Sequence, residues 1–176
     1  MTDDDARAAL RARRGAGARY DAETAPSGDL LVARRATADF ARCLNRLSDD
    51  ELTKARHRVI AEVSLQARAM ALAVKALRAP LTEEEEEWRP DVGMTVTLPA
   101  HALRYLFDHS QIHLNVEWRD LDAAAWDERV HFPGWIDAVG RVTPSIRART
   151  LWTAAQSLDT GVRIADLPPD MQRDLP

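Results

Sequence analysis

Val142-Thr-Pro-Ser-Ile-Arg-Ala-Arg-Thr-Leu-Trp-Thr-Ala-Ala-Gln-Ser-Leu-Asp-Thr-Gly161 carries the clearest structural signature in this chain. Pro144 suits a first helical turn, where a backbone N–H has no intrahelical partner to lose. Gly161 suits the left-handed residue that ends a helix. Between them, at about 100° per residue, Arg147, Thr150, Leu151, Ala154 and Leu158 fall on one face. The segment predicts a helix from about Pro144 to Leu158 whose inward face mixes apolar side chains with an arginine and a hydroxyl.

Working outward, three more long amphipathic helices are expected. One runs from about Asp29 to Leu47, with Leu30, Ala33, Thr37, Phe40, Ala41, Leu44 and Leu47 as its inner stripe. The next runs from Lys54 to Arg78, with a stripe of Val59, Val63, Met70, Val74 and Leu77 and a stop at Pro80. A third starts near Pro99 and runs to Asp120, placing Leu103, Leu106, Phe107, Ser110, Leu114, Trp118 and Leu121 on one side. Tyr105, Ile112 and Val116 form a weaker stripe opposite, a surface for the N-terminal helix or another subunit. Ser48-Asp-Asp-Glu51 has capping-box spacing. Glu83 to Glu87 reads as a solvated face or connecting segment, because a cation site needs ligands arranged around an ion. Val130-His-Phe132 reads as a short extended piece, and no alternating strand pattern is convincing elsewhere. The expected fold class is all-α. Residues 1–28 form an N-terminal helix and linker, and 29–176 form a four-helix bundle domain.

Composition narrows the function classes. The chain has 176 residues, 45% of them hydrophobic and 30% charged, as in globular proteins. A net charge of −4 gives no electrostatic reason to expect nucleic acid or an anionic membrane. The run from Ala67 to Leu77 is too short and too charged to span a bilayer. Cys43, the single cysteine, lies in a helical pattern where a packed thiol is expected. The acidic start Met1-Thr-Asp-Asp-Asp has no apolar run after it, so a cytoplasmic location is expected.

Three segments resemble the maleylpyruvate isomerase family, whose fold is the DinB-like four-helix bundle. They are His101 to Arg119 (with His109-Ser110 and Val116 to Arg119 matching best), Val142 to Gly161, and the tail from Leu158 through Ala165-Asp-Leu-Pro-Pro-Asp170. Weaker similarity extends back to about residue 30. The resemblance implies a DinB-like bundle with an extra N-terminal helix. It also implies an ancestral reaction in which a thiol such as mycothiol adds to maleylpyruvate beside a divalent metal, usually zinc. In the family's Arg-x-Arg-Glu-Val-Trp-x-His pattern the Glu and His hold the metal. Here Arg147, Arg149 and Trp152 match that pattern, while Thr150 and Ala154 stand at the two ligand positions. The remaining ligand, a His in His-x-Ile-Ala-His-Val, aligns with Glu62 in Arg58-Val-Ile-Ala-Glu-Val63. Catalytic zinc takes three His, Cys, Asp or Glu ligands, so no cofactor is expected and family zinc is not expected to bind. No counterpart of the separate C-terminal domain of many members is expected.

Family-like packing would point Glu62, Gln66 and Arg147 at one cavity. Three outcomes are open there: Glu62 pairs with Arg147 and plugs the old site, Arg147 binds a carboxylate ligand, or the side chains reach solvent. The expected function is a non-catalytic or diverged small-ligand-binding or interaction module, with Gln66 and Arg147 as ligand-binding residues. One alternative is a thiol-dependent isomerase or transferase acting on a small carboxylate, with glutathione or mycothiol bound. Another is a metalloprotein with a relocated site at His109, His113 and Glu117, spaced by four along one helix. The second stripe on that helix leaves a homodimer open as one arrangement. No Ser-His-Asp order or phosphate-binding glycine loop is present.

Overall fold

The structure, a computed structural model, describes residues 21–161. The expected N-terminal helix and the Ala165–Asp170 tail lie outside the described residues. Four long helices, α1 (Ser27–Asn45), α2 (Lys54–Lys75), α5 (Ala100–Asp120) and α6 (Thr143–Ser157), form an all-α bundle. Short α3 (Glu83–Glu87) and α4 (Val92–Thr95) lie between α2 and α5. The hairpin β1 (Arg129–Phe132) and β2 (Ile136–Val139) lies between α5 and α6. α2 packs most extensively on α5, and α1 on α6; α2 also touches α6, α4 and both strands.

Burial explains that central position. From Ile60 to Val74, α2 is buried on nearly every side, by Ile60, Val63, Leu65, Met70, Leu72 and Val74 together with five alanines. A helix that is apolar all round belongs inside. The five-residue stripe expected from sequence is too narrow because it leaves the alanines out. On α1 the buried set is Leu30, Ala33, Ala36, Phe40, Cys43 and Leu44. Thr37 instead donates from Oγ1 to Ala33 O at 2.9 Å, satisfying its hydroxyl within the helix. Cys43 is a buried free thiol.

Local chemistry sets the ends of the elements. Thr53, not the Ser48 box, caps α2, its Oγ1 accepting from Arg56 N. Ser48 and Glu51 bond each other in the turn before it. α1 begins at Ser27, inside the stretch expected to be linker. The acidic run is not merely connecting: Thr82 and Glu85 form a capping box that makes it helical. Lys75 then donates to both oxygens of Glu85 at 2.6 and 2.7 Å. At the end of α6, Asp159 takes the left-handed position first (φ 53), with Gly161 (φ 88) two residues on.

The hairpin corrects the expectation of a single extended piece. Val130 pairs with Ala138 and Phe132 with Ile136, so Val130, Phe132 and Ile136 face the core. Pro133 and Gly134 turn the chain, Gly134 at φ 74 and Trp135 N donating to Phe132 O at 3.0 Å, as in a type II turn. The second strand was missed because Ile136-Asp-Ala-Val139 offers only one apolar residue that the core takes fully. Its turn signal, Pro-Gly, was visible.

Candidate functional site

Two tryptophans fix α6 in place. Trp118 on α5 donates from Nε1 to Thr143 Oγ1 at 3.0 Å, and Thr143 in turn donates to Gly140 O at 2.7 Å. Trp152 donates from Nε1 to Asp39 Oδ2 on α1 at 3.3 Å. Held at its start by α5 and at its middle by α1, α6 turns Thr150 and Ala154 toward α2.

There an open cavity of about 630 Å³ forms between α2 and α6. Val59, Glu62, Val63 and Gln66 supply one wall; Arg149, Thr150, Thr153, Ala154 and Ser157 supply the other. Val92 of α4 and Gly134-Trp135 of the hairpin turn complete it. Glu62, Gln66, Thr150 and Ala154, separated by up to 92 positions in sequence, thus line one space. Val92 and Trp135 were missed, because nothing local says that the hairpin and α4 fold over α2. Thr153 and Ser157 share the helical face of Thr150 and Ala154 and were readable from it.

The polar wall is a single network. Gln66 Nε2 donates to Thr150 Oγ1 at 2.8 Å, and Thr150 Oγ1 donates to Ile146 O at 3.1 Å. Arg147 Nη1 donates to Gln66 Oε1 at 3.0 Å and to Val63 O at 2.7 Å. Arg147 itself does not line the cavity; it is 1% exposed and lies behind the wall that Val63 and Gln66 form. Among the described residues its Nε and Nη2 have no hydrogen-bond partner. Burial pulls its pKa down to about 9, which still leaves it a cation at neutral pH.

The expected pairing of Glu62 with Arg147 does not form. Glu62 is half exposed and accepts from Arg58 Nη1 one turn back at 3.4 Å. Solvation explains this: a carboxylate at a cavity rim keeps its water, whereas joining Arg147 would require it to be buried.

The relocated set at His109, His113 and Glu117 is likewise not assembled as a ligand group. Glu117 is buried, with Arg78 Nε donating to its Oε2 at 3.1 Å and His113 Nε2 3.3 Å from its Oε1. Arg78 Nη2 reaches the same Oε2. Burial alone pushes the Glu117 carboxyl up, but hydrogen bonds from His113 and Arg78, with their charge, hold it below its ordinary value. His109 instead stacks on Tyr105, ring centroids 5.8 Å apart. Among the described residues no group of three His, Cys, Asp or Glu is placed to hold a metal ion.

This bundle superposes on two solved structures of mycothiol-dependent maleylpyruvate isomerase, one of them a histidine-to-alanine variant. Both have a TM-score of 0.72 and cover 84% of this chain, with 25% identity for the variant and 24% for the other. The chain has the maleylpyruvate isomerase fold. It is an all-α DinB-like bundle, and it spans 66% of the length of those isomerase chains. No protein-family model and no curated sequence matches it.

The resemblance read from the sequence would put Glu62, Thr150 and Ala154 at the family's metal-ligand positions. Glu62 offers a carboxylate already bonded to Arg58, Thr150 a hydroxyl committed to Gln66 and Ile146, and Ala154 a methyl group. Zinc needs three anionic or imidazole donors with one position open. These residues do not fit it. Among the described residues no helix is long and apolar enough to cross a membrane.

Proposed function

We propose that this chain is a diverged maleylpyruvate isomerase-like protein that binds a small organic molecule in the α2–α6 cavity without a metal ion. The observation that carries this reading is the cavity itself. At about 630 Å³ it has the size of small-molecule sites, with apolar walls and a few convergent polar groups. Its donors and acceptors, Gln66 and Thr150, are suited to orienting a ligand rather than to activating water or a thiol. Filling the cavity tests this. Ala154→Trp projects an indole into it and should abolish the thermal stabilisation given by any ligand found in a metabolite screen. Stoichiometric zinc or nickel retained after dialysis against chelator, and lost in Glu62→Ala, would overturn the metal-free part.

A second reading, a thiol-dependent isomerase or transferase acting on a small carboxylate, is favoured by the fold shared with mycothiol-dependent enzymes. It requires turnover of maleylpyruvate with mycothiol or glutathione by metal-free protein, and the absence of turnover with both removes it.

A further inference from the structure

Among the described residues, Glu117 and Arg147 are the charged residues buried as a whole. Glu117 is met by two cationic or protonatable partners, Arg78 and His113. Arg147 is met by none. Its acceptors, a backbone carbonyl and an amide oxygen, are both neutral, and two of its three nitrogens have no acceptor at all. Both acceptors belong to residues that line the cavity. A buried guanidinium with unused donors, one hydrogen bond behind a cavity wall, has the chemistry to receive an anion.

We infer that the ligand of the cavity is an amphipathic monocarboxylic acid whose carboxylate takes the place of the Gln66 amide oxygen and pairs with Arg147. This rests on the cavity being a ligand site, as proposed above, and adds the chemical class of the ligand. Gln66 Oε1 already occupies one acceptor position on Nη1, and swinging the amide aside opens that position to a carboxylate oxygen. A carboxylate has a second oxygen for the donors that a single amide oxygen leaves unused. The body of the acid lies against Val59, Val63, Val92 and Trp135. Glu62 at the rim repels a second carboxylate, which would have to approach Arg149 beside it. One anionic head and an apolar body are what the walls accommodate.

The test compares three six-carbon probes by calorimetry: hexanoate, hexanamide and adipate. Hexanoate is expected to bind at least about tenfold tighter than the other two, the ratio set by a charge-assisted pair over a neutral one. Gln66→Glu supplies Arg147 with a carboxylate from the protein itself. In this variant hexanoate should bind no tighter than hexanamide. Arg147→Gln should remove the preference in the same way, and its folding is checked by circular dichroism. In wild-type protein, the Arg147 side-chain Nε–H resonance should shift on addition of hexanoate and not of hexanamide. Equal binding of hexanoate and hexanamide, or an acid preference surviving both substitutions, overturns the inference. If hexanamide binding is then still lost in Ala154→Trp, the cavity remains the ligand site. Hexanoate binding unaffected by Ala154→Trp places the anion elsewhere and overturns the inference too, as does failure of all three probes to bind.

Discussion

The seam between α2 and α5 and the seam between α2 and α6 each bury one charge, and only the first neutralises it. Glu117 meets Arg78 just beyond the end of α2 and His113 one turn back on its own helix. Arg147 meets Val63 O and Gln66, which carry no charge. The α2–α5 seam is closely packed, whereas the α2–α6 seam holds the open cavity. A buried ion left without a counter-ion costs several kcal/mol, which stability alone would remove by substitution. The α2–α5 seam reads as structural, and the α2–α6 seam, with an open cavity in front of its arginine, as the side of the molecule that meets a ligand.

The comparison can be broken from either side. Glu117→Leu should be the most damaging change, about 3 kcal/mol in urea denaturation, because it strands Arg78 and His113. Its effect depends on pH with a definite sign. The Glu117 carboxyl is held below its ordinary value in the fold, so its contribution is full above about pH 4.5 and is lost as pH falls through the lowered value. Wild type and Glu117→Gln should therefore converge in stability under acid and diverge near neutrality. Convergence at neutral pH would show that the pair is not coupled to folding.

Gln66→Glu, which gives Arg147 the partner it lacks, should raise stability by about 2 kcal/mol, the value of a hydrogen bond between charged groups. A destabilised variant would mean that Arg147 is already compensated in solution. The smallest change is expected from Arg147→Met. An apolar chain of similar length should leave stability unchanged or raise it by about 1 kcal/mol. A loss of about 3 kcal/mol or more would class Arg147 with Glu117 as a structural charge and end the contrast.

Much of this architecture was legible from residue spacing. The apolar stripes of α1, α5 and α6 predict three of the long helices to within a few residues. α2 was found in place but read too narrowly, because its alanines carry no pattern until neighbouring helices close on them. The second strand was not legible, since Ile136 is the one residue in it that the core takes fully. At the site, Glu62, Gln66, Thr150 and Ala154 were singled out in advance and do line one cavity. The partner expected for Arg147 was not found. Helical geometry places a side chain on a face, but whether a rim carboxylate turns inward depends on the competing pull of water and of Arg58.

The sequence by itself determined the helical class, the bundle and the poverty of Glu62, Thr150 and Ala154 as a set of metal donors, because each follows from periodicity or from the identity of single residues. Tertiary structure alone decided that Trp135 and Val92 close the cavity, that Glu117 is neutralised and that Arg147 is not. Those facts depend on long-range approach between elements and on desolvation, a balance that spacing along one chain does not record.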